Sequence, residues 1–167
     1  MEIVVNDTNI FIDLHSIELL EQFFEMPITV HTVDFIINEL KDPKQINAIQ
    51  KYIDNGKLTV GSFSNKELIQ IYNLHNTTAG NVSIPDCAVW HYAKKNNYTL
   101  LTGDRQLRDN ASNSNVTVKG IIFIFDSLIE NNILSSEEAI YKIQDLLKIN
   151  PRLPKKIIQE RIEKWSE

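Results

Sequence analysis

Short apolar segments alternate along the chain with stretches of helical spacing. Each apolar segment is bounded by turn or capping residues, whereas the stretches between them repeat apolar residues at intervals of three and four. This alternation is typical of βαβ units, which build a mainly parallel sheet. The predicted strands are EIVVN, PITVHT, KLTVGS, YTLLT and NVTVK.

The stretches of helical spacing predict the helices. They are residues 10–24, VDFIINEL, NAIQKYIDNG, and residues 84–95, 137–148 and 154–165. The sequence DNASNSN at 109–115 is rich in turn-forming residues and is predicted to be a polar loop. No internal repeat or interdomain linker is visible, so the 167 residues are expected to fold as one compact unit.

Composition limits the cellular setting. The longest apolar run, from Ile121 to Phe125, is far too short for a membrane span, and Glu2 stands where a secretory signal would be basic. A single cysteine, Cys87, excludes an intrachain disulfide and suits a reducing compartment. We therefore expect a cytoplasmic protein without a membrane partner.

Charge is unevenly distributed. The net charge of -5 argues against a nucleic-acid binder whose affinity comes from Lys and Arg. Residues 148–167, however, carry a net charge of +3, so the first 147 residues carry -8. An acidic body with a basic tail is compatible with a polyanion held at one end and acids binding metal elsewhere. A solvated amphipathic terminal helix would give the same pattern.

Four acidic residues stand at corresponding places in successive units. Asp7 ends the first strand, and Asp104 follows the strand YTLLT. Asp86 begins a helix, and Glu39 lies on the helix after the second strand. Because ligands collect beyond the carboxyl ends of parallel strands, these four side chains could share one rim of the sheet.

Each acid also has an ordinary structural explanation. Asp7 and Asp104 could cap the helices that follow them. Asp86 lies three residues after Ser83, which is the spacing of a capping box, and Glu39 could simply face solvent. The case for a site therefore depends on the set of four and not on any one member.

The ordered set resembles the PIN domain over roughly residues 2 to 125. The motifs that carry the resemblance are Asp7-Thr8-Asn9, Glu39-Leu40, Asp86 in a helix leading to YTLLT, and Thr102-Gly103-Asp104. Members of this family are mostly metal-dependent ribonucleases, and they include toxins of bacterial and archaeal toxin–antitoxin pairs. The resemblance implies a three-layer α/β/α sandwich with a mainly parallel central sheet. Residues 1–130 would form the nuclease domain, and 131–167 a C-terminal helical extension packed on it.

The resemblance also implies a site. The catalytic acids, which would hold one or two Mg²⁺ or Mn²⁺ ions, are Asp7, Glu39, Asp86 and Asp104, with polar support from Thr8, Asn9 and Thr102. Residues assigned to RNA binding are Arg105, Arg152, Lys155 and Lys156. Hard divalent cations prefer oxygen ligands, and they can neutralise a scissile phosphate and activate a bound water. Such ions would allow an acidic protein to act on RNA.

The expected function is therefore that of a Mg²⁺- or Mn²⁺-dependent endoribonuclease, the toxin of a toxin–antitoxin pair. Its expected partners are RNA and a small antitoxin protein, and a homodimer is allowed. Two alternatives stay open, namely a non-catalytic PIN-like RNA-binding or interaction module and a metal-dependent phosphatase on a similar sheet.

Other constellations are weaker. Cys87 and His91 are four residues apart on a predicted helix, but structural zinc needs four ligands and no second pair is present. No sequence feature activates Cys87 as a nucleophile. A phosphotransferase of the haloacid-dehalogenase type would need an acid where Asn9 stands, and there is no Gly-rich phosphate loop. Trp90 and Tyr92 could stack on a base, but core packing is the commoner role.

Overall fold

The structure, a computed structural model, describes residues 1–167. Its centre is a five-stranded sheet in which every neighbouring pair of strands is parallel. The strands are β1 Glu2–Asn6, β2 Ile28–Val33, β3 Leu58–Gly61, β4 Thr99–Leu101 and β5 Val118–Lys119. All five correspond to predicted segments, and the predicted parallel sheet is confirmed.

The strand order is β3-β2-β1-β4-β5, which creates a switch point. The chain moves from β1 through β2 to β3 on one side, and then returns to β4 and β5 on the other side. Connections on the two sides of β1 therefore leave the sheet in opposite directions, and a crevice opens at the carboxyl ends of β1 and β4. This crevice is where an open parallel sheet most often binds its ligands.

Ten helices surround the sheet. They are α1 Thr8–Ser16, α2 Leu20–Glu25, α3 Asp34–Glu39, α4 Pro43–Asp54, α5 Asn65–Thr77, α6 Ile84–Asn96, α7 Arg105–Asn113, α8 Ile121–Glu130, α9 Ser136–Ile149 and α10 Lys155–Trp165. Helix α6 packs on β1, β2 and β4 and contacts α5 and α7, whereas α1 contacts α4 and α9, and α9 contacts α8 and α10. Right-handed crossovers place these two groups on opposite faces of the sheet, as a three-layer sandwich requires. None of the helices has the length and apolar character that a membrane span requires.

The single helix predicted over 10–24 is in fact two helices. Between α1 and α2, Glu18 adopts a φ of 57°. The N–H of Glu18 donates to the carbonyl of His15, and that of Leu19 donates to the carbonyl of Leu14, which is the Schellman pattern of a helix end. Glycine usually occupies the left-handed position, so the glutamate here conceals the break in the sequence.

The predicted polar loop at 109–115 is also wrong, because α7 continues to Asn113. Only Leu107 and Ala111 of this helix are buried, and its remaining residues resemble a loop in composition. Helices α5 and α8 were not predicted either. Helix α8 begins as the apolar run IIFIF, in which the helical spacing of the buried residues Ile121, Ile124 and Phe125 is hard to see.

Residues 131–167 share the core of the rest of the chain. Ala139, Ile143 and Ile158 belong to the same buried cluster of 41 residues as the sheet. Lys142 Nζ donates to the carbonyl of Ile17 at 2.8 Å, which fixes α9 to the end of α1. We propose that residues 1–130 and this C-terminal extension form one folding unit.

Candidate active site at the switch point

Asp7 lies where the chain leaves β1 at the switch point, and it is only 3% exposed. Its N–H donates to the carbonyl of Leu101, the last residue of β4, at 3.0 Å. Its Oδ1 accepts from the N–H of Thr8 at 2.7 Å, and its Oδ2 accepts from the hydroxyl of Thr102 at 2.8 Å. Asp7 therefore caps α1 and at the same time holds a carboxylate at the end of the sheet.

Asp104 is attached to the same hydroxyl. The N–H of Asp104 donates to Thr102 Oγ1 at 3.1 Å, and its Oδ1 accepts from the N–H of Leu107 at 2.9 Å. Asp104 is thus the N-cap of α7, as the capping interpretation predicted. The buried Thr102 hydroxyl joins this cap to Asp7, so one strand end positions both acids.

Asp86 forms the capping box of α6. The N–H of Ser83 donates to Asp86 Oδ2 at 2.9 Å, and the N–H of Asp86 donates to Ser83 Oγ at 3.2 Å. These hydrogen bonds give partners to backbone N–H groups at the start of the helix, and they hold the carboxyl group of Asp86 in a half-buried position. Capping and a place on the rim are therefore compatible in this residue too.

Glu39 reaches the rim from the last turn of α3. The residue is exposed, but its carboxyl group is partly enclosed, and Oε2 accepts from the hydroxyl of Thr8 at 3.3 Å. The predicted polar support is therefore in contact with the acids at two positions, Thr8 with Glu39 and Thr102 with Asp7.

Electrostatics link the acids to one another. Burial and the charge of Asp86 raise the pKa of Asp7 to about 7, with a further contribution from Glu39. Burial and the charge of Asp86 also raise the pKa of Glu39, and burial and the charge of Asp104 raise that of Asp86. No Lys or Arg forms an ion pair with any of the four. The rim is therefore a group of acids without a cationic side chain to balance it.

The donor set suits a hard cation. All four acidic side chains offer carboxylate oxygens, which Mg²⁺ and Mn²⁺ prefer. No three His, Cys, Asp or Glu side chains are close enough to ligate one ion together. Mg²⁺ typically keeps several waters and takes one or two protein carboxylates. The rim therefore fits a hydrated ion held by few direct contacts, and it does not fit a closed cage of protein ligands.

Cys87 and His91, the alternative pair of zinc ligands, do not form a metal site. Cys87 is fully buried, and burial together with the charge of Asp86 raises the pKa of its thiol to about 11. His91 Nε2 instead faces Glu67 Oε2 at 3.4 Å. A thiol that stays protonated at neutral pH suits neither a metal ligand nor a nucleophile.

A cavity of about 570 Å³ opens beside the rim, and we call it the side groove. Five of the residues that the sequence analysis assigned to the site or to RNA binding line this groove, namely Asn9, Thr102, Asp104, Arg105 and Arg152. Lys155 and Lys156 are exposed at the start of α10 and are not part of this lining.

Three polar side chains of the groove were not predicted from the sequence, namely those of Asp13, Arg108 and Asn150. The one available signal was an acid inside the apolar stretch IFIDL, four residues after Asn9 on the same helix.

Comparison with known proteins decides the family. The DUF3368 family, described as a PIN domain, matches residues 3–167. The chain belongs to the PIN-domain family. PIN domains are mostly nucleases and generally use divalent metals, so the acidic rim lies in a domain of nuclease type.

One solved structure has the same fold as this PIN domain. A domain of a functionally unknown protein from Methanocaldococcus jannaschii DSM 2661 superposes with a TM-score of 0.50 at 20% identity, covering 72% of this chain and 91% of that chain. FitAcB from Neisseria gonorrhoeae has a TM-score of 0.42 at 16% identity, with coverages of 69% and 95%. VapBC2 from Rickettsia felis has a TM-score of 0.42 at 18% identity, with coverages of 71% and 98%. The comparison with curated proteins gives no match.

Proposed function

We propose that this PIN domain is an endoribonuclease that hydrolyses RNA phosphodiester bonds with Mg²⁺ or Mn²⁺. The supporting observation is Asp7, a buried carboxyl group with a pKa of about 7 that faces the charges of Asp86 and Glu39 without a basic partner. Such a group is stabilised by a proton or by a cation. A divalent ion bound there would also bring positive charge to an incoming phosphate.

The chain's own residues have separate parts in this proposal. Asp7 and Asp86 would be the principal ligands, and Glu39 and Asp104 would act through water. Thr102 orients Asp7, and Thr8 orients Glu39. A divalent ion held by these acids would supply positive charge to the scissile phosphate and would lower the pKa of a coordinated water. Asn9 and Arg105 line the side groove, and they would contact the RNA strand next to the cleaved bond.

The test is cleavage of a labelled single-stranded RNA in Mn²⁺, in Mg²⁺ and in EDTA. We expect the protein to cleave RNA only when metal is present. The cleavage rate should fall about 100-fold or more in Asp7→Asn, Glu39→Gln, Asp86→Asn and Asp104→Asn, since each substitution removes a charged oxygen from one site. Asp54→Asn is the matched control, because Asp54 lies exposed at the end of α4 and only accepts a bond from Gln50.

Two outcomes would contradict this assignment. Near wild-type cleavage by Asp7→Asn would show that Asp7 is a helix cap alone. Hydrolysis of p-nitrophenyl phosphate without RNA cleavage would favour the phosphatase, and RNA binding without hydrolysis of either substrate would favour the non-catalytic module.

We further propose a toxin role in the cytoplasm, with a small antitoxin protein as partner. Membership of the PIN family supports this proposal, since the family includes such toxins. Regulated expression of the wild type should arrest bacterial growth, whereas Asp7→Asn should not. Co-expression of a neighbouring small gene should restore growth, and sedimentation of the purified protein would show whether it forms a homodimer.

A further inference from the structure

The side groove lies against the acidic rim and is bounded by two distant parts of the chain. Thr102, Gly103 and Asp104 form the edge that it shares with the rim, and Asn9 stands beside them on α1. The opposite wall comes from the segment between α9 and α10, which includes Arg152 and Leu153. A polymer strand that reaches the acids can therefore extend directly into this groove.

The charged part of the lining is mainly cationic, with three arginines against Asp13 and Asp104. Arg105, Arg108 and Arg152 all line the groove. The first two approach Asp109 only at 3.8 and 3.9 Å, and Arg152 forms no ion pair. The N-terminus of α8 also opens here, where its N-cap Gly120 offers no side-chain acceptor to the first N–H groups. Guanidinium groups and a free helix N-terminus are typical phosphate contacts.

The rest of the lining is mainly apolar. It includes Ile12, Ile121, Ile122 and Ile157, and Ile157 is 53% exposed although it is a large apolar residue. The volume of about 570 Å³ falls in the range of small-ligand pockets. A nucleobase presents flat apolar faces that such walls can cover, while its phosphates stay near the arginines.

A buried acid lies among these walls. Asp13 is 7% exposed, and its two carboxylate oxygens accept from a single donor, Asn150 Nδ2, at 3.2 and 3.3 Å. No Lys or Arg pairs with it, and burial raises its pKa. One amide group uses only part of the acceptor capacity of a carboxylate, which has about four lone-pair sites. An incoming partner with adjacent N–H donors would satisfy the rest.

Guanine is the RNA base that offers such an edge. Its N1–H and N2–H groups are neighbouring donors, whereas the Watson–Crick edges of adenine, cytosine and uracil place acceptors beside their donors. We propose, on the basis of the ribonuclease function proposed above, that the side groove holds the nucleotide next to the scissile phosphate and selects guanine through Asp13 and Asn150. The three arginines bind the flanking phosphates.

The experiment measures binding without catalysis. Labelled heptanucleotides UUUGUUU, UUUAUUU, UUUCUUU and UUUUUUU are titrated with the protein in EDTA, and fluorescence anisotropy is recorded. We expect the guanine oligonucleotide to bind at least about tenfold more tightly than the others, since a bidentate base contact discriminates by that order. Asp13→Asn should abolish the preference, whereas Asp54→Asn should keep it.

A second measurement needs only the wild-type protein. Inosine lacks the N2 amino group of guanosine, so UUUIUUU should bind several-fold more weakly than UUUGUUU. This arm keeps the proposal testable if Asp13→Asn fails to fold.

Three results would overturn the proposal. They are equal binding of the four oligonucleotides, equal binding of inosine and guanosine, and a preference that survives in folded Asp13→Asn. If the equal binding is also weak, the result overturns the proposal and favours a protein partner as the occupant of the groove. Because binding is measured without metal, a protein that prefers guanine but cleaves no RNA would contradict only the ribonuclease function. Cleavage without base preference would overturn only the groove proposal.

Discussion

The hydroxyl of Thr102 donates a 2.8 Å hydrogen bond to Oδ2 of Asp7, and thereby joins the end of β4 to the end of β1. The same hydroxyl accepts from the N–H of Asp104. A neutral side chain therefore orients one acid and anchors the backbone of another across the switch point. The hydrogen bond also lowers the pKa of Asp7, in opposition to burial and to the charge of Asp86.

We expect Thr102→Val to lower the free energy of unfolding by about 1–3 kcal/mol, because it leaves Asp7 Oδ2 and the N–H of Asp104 without their partner. Urea unfolding in EDTA would measure this. The variant should also have a smaller rise in melting temperature on addition of Mn²⁺.

Thr99→Val is the control for this change, because Thr99 begins the strand that Thr102 follows and donates to Glu2 at 2.9 Å, away from the rim. It should leave the response to Mn²⁺ unchanged. If both variants respond to Mn²⁺ as the wild type does, Thr102 has no part in the site.

Stability in EDTA should fall as the pH rises from about 5 to about 8. Asp7 has a pKa of about 7 in the fold and 3.8 as its reference value, so the native state binds more protons than the unfolded chain between these values. The stabilisation from this proton is complete below the lower value and is lost as the pH passes the upper one. Melting temperatures at several pH values would record the slope.

Asp7→Asn isolates this contribution, since the variant keeps a capping side chain without the ionisable group. Its melting temperature should depend less on pH than that of the wild type, and Mn²⁺ should raise it less at about pH 8. An unchanged slope in Asp7→Asn would assign the pH dependence to other groups.

Three of the four acids could be located from sequence because Asp7, Asp86 and Asp104 each stand at a strand end or a helix start, places defined by local patterns, whereas Glu39 is the last residue of α3. The capping roles of Asp7, Asp86 and Asp104 were equally visible, and the structure shows that all three side chains cap a helix. A role in metal binding is compatible with these caps and is our proposal. The side groove could not be predicted in this way. It depends on the contact between Asp13 and Asn150, which are 137 residues apart, and only the packing of α9 against α1 brings them together.

Neutralising the groove arginines should reduce the salt dependence of RNA binding. Replacement of Arg105, Arg108 and Arg152 by Gln removes up to three phosphate contacts, so the slope of log K against log salt should fall by about 2 for a single strand. Binding of the labelled oligonucleotides at several salt concentrations would measure it.

Lys155→Gln with Lys156→Gln is the comparison, because these residues lie outside the groove lining. We expect a smaller change in slope from this pair than from the arginines. A larger change would place the RNA along α10 and not in the groove.

The two tryptophans test whether the chain unfolds as one unit. Trp90 lies on α6, and Trp165 on α10 donates to Asp126 at 2.8 Å. In Trp90→Phe and in Trp165→Phe the remaining indole reports one part of the chain, and its fluorescence is compared with far-UV circular dichroism of the same variant in urea. We expect the two transitions to coincide in each variant. An earlier fluorescence transition in Trp90→Phe would show that residues 131–167 unfold separately.

The two walls of the side groove differ in their origin along the chain. The acids lie between residues 7 and 104, whereas the far wall begins at Ile149. Insertions and substitutions in the connection between α9 and α10 can therefore reshape what the groove holds without moving the four carboxylates of the rim. In evolution or in engineering, exchange of this one connection offers a route to a nuclease with altered sequence preference and an unaltered reaction.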